Sequence, residues 1–132
     1  MIRYKKGYKY QLLGDYTVKT NVSPGKIINT EFIRLSESGE LTVKSGYAWN
    51  GASGPAIDTK NFMRGSMCHD AFYQLIRMGL LHKTWREAAD RELRKMCLED
   101  GMSRLRAWYV YKSVQIAGAG AAEKKEKIFT AP

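Results

Sequence analysis

The hydrophobic pattern of this chain changes character once, across a segment that has no period of its own: Gly46-Tyr47-Ala48-Trp49-Asn50-Gly51-Ala52-Ser53-Gly54-Pro55. Before it, apolar and β-branched residues come in short runs separated by turn residues, the pattern of strands. After it, apolar residues recur at three- and four-residue intervals, the pattern of helices. A chain that groups its strands first and its helices second is expected to be α+β, with an antiparallel sheet ahead of a helical layer.

The first 48 residues predict a sheet of four or five short strands. Tyr8–Leu12 and Tyr16–Thr20 flank Gly14-Asp15 and read as a hairpin. Ser23-Pro24-Gly25 punctuates the chain, and Ser38-Gly39 turns Phe32–Leu35 back onto Leu41–Lys44. At 132 residues and 44% hydrophobic content, the chain has enough apolar material for one core. It reads as a single α+β domain over residues 1–122 and a flexible basic tail over 123–132.

The helical part has legible ends. A first helix runs from Asp58 or Thr59 to Met78 and stops at Gly79, a residue suited to a left-handed cap. Thr84-Trp85-Arg86-Glu87 fits the capping box that would open a second helix, which stops near Gly101. Ser103 is a good N-cap for a third, whose wide apolar face, with Leu105, Trp108, Val110, Val114 and Ile116, suits either a core or an interface. Beyond Gly118 the helix is expected to loosen.

A short connection requires the first two helices to pack antiparallel, and this gives Asp90 a meaning. Counting from the turn at 1.5 Å per residue, His69 and Asp90 lie roughly 14 and 9 Å from the same end of the pair, so their side chains are expected to oppose each other. Asp90 shares its face with Leu93 and Cys97. A buried carboxylate needs a partner, and an imidazole N–H on the facing helix suits it. On the first helix, His69 and Tyr73 share a face while Asp70 points about 100° away.

Composition limits the partners. A formal charge of +9 draws such a chain to polyanions, either nucleic acid or an anionic lipid surface, and no nucleic-acid motif accompanies it. No run of 18 uncharged apolar residues and no apolar leader segment appears, so a cytoplasmic or virion-associated protein is expected. Cys68 and Cys97 sit at helical spacing among apolar residues and read as buried thiols. His82, beside Lys83 on a polar turn, reads as solvated. No Gly-x-Ser-x-Gly elbow, P-loop, dinucleotide fingerprint or zinc-ligand spacing is present.

Two family resemblances follow from these residues. His69-Asp70-x-x-Tyr73 on one helix, Asp90 in Ala89-Asp90-x-x-Leu93 on the next, and the Gly-rich segment ahead resemble the phospholipase A2 superfamily, closest to its disulfide-poor members such as the parvovirus capsid phospholipase domain. Over nearly the whole length, Gly-Tyr-Ala-Trp-Asn-Gly-Ala-Ser-Gly-Pro, His-Asp-Ala-Phe-Tyr and Ala-Ala-Asp-Arg-Glu-Leu resemble the DUF1353 family of phage and prophage proteins, which has no assigned function. The phospholipase resemblance implies His69 as general base, Asp90 as its orienter and Tyr73 as a donor to Asp90. It implies a Ca²⁺ held by Asp70 and by loop carbonyls near Trp49, Gly51 and Ser53, and an anionic bilayer met by Trp49, Trp85 and Trp108. The loop lacks the Gly-Gly pair of the secreted enzymes, and Ser53 stands where they have glycine. The phage resemblance implies instead an accessory or host-interaction protein that binds a host or phage protein. On that reading the His-Asp pair only ties two helices together.

Overall fold

The computed structural model describes residues 2–5, 10–50 and 59–130, with residues 119–130 described as backbone alone. Strands come first and helices after, which makes the fold class α+β. The strands divide into two antiparallel sheets. Strands β1 (Tyr4–Lys5), β2 (Tyr10–Leu12) and β7 (Ala48–Trp49) form one sheet in the order β1-β2-β7. Strands β3 (Tyr16–Lys19), β4 (Ile28–Asn29), β5 (Ile33–Leu35) and β6 (Glu40–Val43) form the other in the order β3-β6-β5-β4.

The period-2 pattern orients these strands. Ile33 and Leu35 of β5 and Leu41 and Val43 of β6 face the core, while Arg34 and Glu40 face solvent. The expected hairpin across Gly14-Asp15 does not form: Tyr10–Leu12 pairs with β1 and β7, and Tyr16–Lys19 pairs with β6. The turn carries the chain from one sheet to the other and is tied to Ser45, whose Oγ accepts from the Gly14 N–H and whose N–H donates to Asp15 Oδ1. Both runs have strand character, but a turn sequence alone does not choose a partner when better-matched apolar strands lie further along the chain.

Helices α1 (Lys60–Arg77), α2 (Arg86–Glu99) and α3 (Arg104–Thr130) make up the second layer. α1 and α2 end in the same motif. Gly79 and Gly101 both have positive φ, and the residue after each donates back to the third-last helical carbonyl, Leu80 to Leu75 and Met102 to Cys97. The start of α2 differs from expectation. No capping box forms; Lys83–Trp85 is a 3₁₀ turn, and the imidazole of His82 caps it by accepting from the Thr84 N–H at 3.1 Å. Ser103 caps α3 as expected, with its Oγ accepting from the Arg106 N–H. Helical backbone continues to Thr130, where a loosened chain beyond Gly118 and a tail over 123–132 were expected. That stretch is rich in Ala, Glu and Lys, all strong helix formers.

α1 and α2 pack antiparallel and close together at Gly65, where a Cβ would stand 2.9 Å from Leu93 Cδ1 and 3.2 Å from the Leu93 carbonyl oxygen. The main core joins both sheets to α1 through Leu12, Val43, Met67, Phe72 and Leu75. A smaller cluster, with Phe62, Leu93, Cys97 and Val110, fastens α3 to the helix pair. The carboxylate of the buried Glu92 on α2 accepts from the Asn21 N–H at 3.1 Å and so ties α2 to the sheet layer.

Candidate functional site

At the middle of the α1–α2 seam lies a polar cluster in an otherwise apolar interface. Asp90 is wholly buried, and its Oδ1 lies 2.7 Å from His69 Nε2 and 2.7 Å from the Tyr73 hydroxyl. His69 and Tyr73 are one helical turn apart on α1, their ring centroids 4.2 Å from each other, so both reach the same oxygen across the seam. The histidine side chain keeps 14% of its surface exposed. The other carboxylate oxygen, Asp90 Oδ2, is buried and has no hydrogen-bond partner.

This arrangement fixes the imidazole. An ionised carboxylate only accepts, so the proton of a neutral His69 ring sits on Nε2 and the lone pair on Nδ1. Burial, and after it the hydrogen bond to Asp90, pushes the Tyr73 phenol well above its ordinary range, so Tyr73 is a donor at every working pH. α3 covers that phenol. Gly118 lies so close that a Cβ would overlap the Tyr73 hydroxyl.

Asp70, next along α1, faces a different compartment, as the 100° offset predicts. Its Oδ2 accepts from the Tyr47 hydroxyl at 2.5 Å, and its Oδ1 lies 3.9 Å from the Arg77 guanidinium. Tyr47 is buried, and burial together with the neighbouring Asp70 charge raises its pKa far above the usual phenol value. A calcium ion on Asp70 would have to displace a phenol from one oxygen and sit beside a cation at the other. The described donors do not fit such an ion as they stand. Gly51 and Ser53, expected to offer loop carbonyls, lie outside the described residues. Among the described residues no cluster of three or more His, Cys, Asp or Glu side chains is placed to hold a metal.

Trp49 takes a role the sequence reading did not give it. It pairs with Tyr10 in the three-stranded sheet and packs its ring among Tyr4, Tyr10 and Tyr47, fully inside the core. A ring held there cannot insert into a bilayer. Trp85 is half-buried, and Trp108 is exposed. Tyr47 and Gly118 were not anticipated. Both contacts span long sequence separations, and no local pattern marks them.

The chain matches no family model, no curated protein and no solved structure.

Proposed function

We propose that this protein hydrolyses carboxylic esters of phospholipids, with His69 as general base. One observation carries the proposal: a fully buried carboxylate holds Nε2 of a partly exposed histidine at 2.7 Å, which turns the basic Nδ1 away from the carboxylate. In this mechanism Nδ1 takes a proton from water as the oxygen attacks the ester carbonyl. Asp90 stabilises the imidazolium that results, without itself taking the proton. When the tetrahedral intermediate collapses, the carbonyl re-forms, the C–O bond to the alcohol breaks, and the imidazolium returns its proton to the departing alkoxide. Tyr73 holds Asp90 in place and touches no reacting atom.

The test is fatty-acid release from phosphatidylglycerol vesicles, with added calcium or EGTA. The wild-type chain is expected to release product, and His69→Ala to lower the rate by about 10²–10⁴-fold. Equal rates for the two proteins, or no release in either buffer, would defeat the proposal.

A second reading has its own support. The Asp70 carboxylate is engaged by Tyr47 and Arg77, and α3 lies directly over Tyr73, so the His69-Tyr73-Asp90 set can also serve as a pin between α1 and α2. On that reading the chain is a non-catalytic accessory protein of the phage type that binds a host or phage protein. Absence of hydrolysis together with a marked loss of stability in His69→Ala would favour it.

A further inference from the structure

α3 has two faces of opposite fate. Ala107, Val110, Val114 and Gly118 turn inward against α1 and α2. On the outer side, Leu105 is 78% exposed, Ile116 75%, Trp108 47% and Tyr109 46%. At 100° per residue these four, with Lys112 among them, fall within an arc of about 100° and form one stripe roughly 16 Å long. It is an apolar face with an exposed lysine at its centre.

Beside the stripe runs a basic groove. Between α2 and α3 an open cavity of about 570 Å³ is lined by Arg91, Arg94, Lys95 and Tyr111, with Leu98 and Glu99. The Arg94 guanidinium and the Lys112 ammonium each stand 5.9 Å from the centroid of the Tyr111 ring, and Arg94 Nε is buried without a partner. Arg104, exposed, opens the helix on the same flank. Cations thus border the apolar stripe along the side that faces α2.

We infer that the outer face of α3, together with the α2–α3 groove, docks on an anionic phospholipid bilayer: Leu105, Trp108, Tyr109 and Ile116 enter the interface and the groove cations meet lipid phosphates. Charge complementarity selects this occupant, because the chain carries +9 and Arg94, Lys95, Arg104 and Lys112 border the stripe, with Arg91 beside them paired to Glu87 at 2.8 Å. Trp and Tyr suit the headgroup level, and Lys112 can bury its stem there while its ammonium stays in water. A second copy of the chain would bring Lys112 and the groove cations against like charges. A nucleic acid would leave the branched aliphatic side chains of Leu105 and Ile116 nothing to stack on. No helix among the described residues is long and apolar enough to cross a membrane, so α3 would lie along the surface. This inference adds a surface to the esterase proposal and does not depend on it.

Co-sedimentation tests it, using vesicles of pure phosphatidylcholine and of phosphatidylcholine with equal parts phosphatidylglycerol. The wild-type chain and His69→Ala are expected to bind the anionic vesicles alike. Leu105→Glu with Ile116→Glu should weaken that binding about tenfold or more, since two exposed side chains lose their transfer into lipid. Lys112→Glu should weaken binding to anionic vesicles by a smaller factor. Both variants alter exposed positions, and an unchanged far-UV spectrum and melting curve checks their folding. The inference is overturned if the wild-type chain leaves the anionic vesicles in the supernatant, or if the double variant binds as well as wild type. It is also overturned if light scattering shows a lipid-free dimer that the double variant abolishes, which would make a second copy the occupant. Binding without hydrolysis would remove the esterase reading and keep the docking surface; hydrolysis of dispersed substrate without vesicle binding would do the reverse.

Discussion

Two polar clusters fasten α1 to α2, and they are built on opposite plans. Near the start of α1, Arg64 donates from Nε and Nη2 to both oxygens of Asp100 at 3.0 and 3.1 Å, from Nη2 to Glu99 at 2.8 Å, and from Nη1 to the Tyr16 hydroxyl at 3.0 Å. Burial opposes the Arg64 charge, but its bonds to Asp100, Glu99 and Tyr16 outweigh that and hold its pKa above the usual value. Water reaches the two acids. Two turns along, the His69-Tyr73-Asp90 cluster is drier, brings two donors to one oxygen and leaves the other without any. The first cluster has matched its charges and is finished as a structure. The second leaves one buried carboxylate oxygen, Asp90 Oδ2, without a hydrogen-bond partner beside a partly exposed imidazole.

The contrast can be broken most sharply at Asp90. Asp90→Ala removes the shared acceptor of two buried donors and should cost about 3 kcal/mol in urea unfolding, with little dependence on salt. Recovery of full stability in that variant would mean that the buried cluster matters no more than a surface pair. Arg64→Ala should cost less, about 1 kcal/mol, because Glu99 and Asp100 are free to return to water, and added salt should shrink the wild-type advantage. A reversed order of these two costs would mean that the drier cluster is the weaker fastening of α1 to α2.

The smallest effect at neutral pH concerns the thiols that lie between them. Burial pushes both Cys68 and Cys97 up to about 12 from an ordinary value near 9. The folded chain therefore keeps two protons that the unfolded chain releases, and stability is full below pH 9. Between pH 9 and 12 it should fall by about 1.4 kcal/mol per pH unit for each thiol. A Cys68→Ala, Cys97→Ala variant should show a shallower alkaline slope in the same unfolding experiment; an identical slope would locate the alkaline loss elsewhere.

How much of this could be read from residues alone depended on distance along the chain. The ends of α1 and α2 were legible because a C-terminal glycine acts within a few residues, and Ser103 was legible for the same reason. The His69–Asp90 contact was legible too, because a short connection between two helices leaves one way to fold them back. The hairpin across Gly14-Asp15 failed because strand partners are chosen by matching faces across the whole sheet, and β6, more than twenty residues away, matched Tyr16–Lys19 better. The helix start at Thr84 failed because an imidazole two residues earlier reached the amide first. Tyr47 on Asp70 and Gly118 on Tyr73 carry no local signature at all.

The crossing of α3 over Tyr73 also bears on what an engineer could change. Position 118 admits no side chain without moving a phenol that braces the buried acid, while Ala117, one step along the same helix, is exposed and unconstrained. A library built along this helix would therefore divide between neighbours, one residue accepting almost any replacement and the next tolerating none.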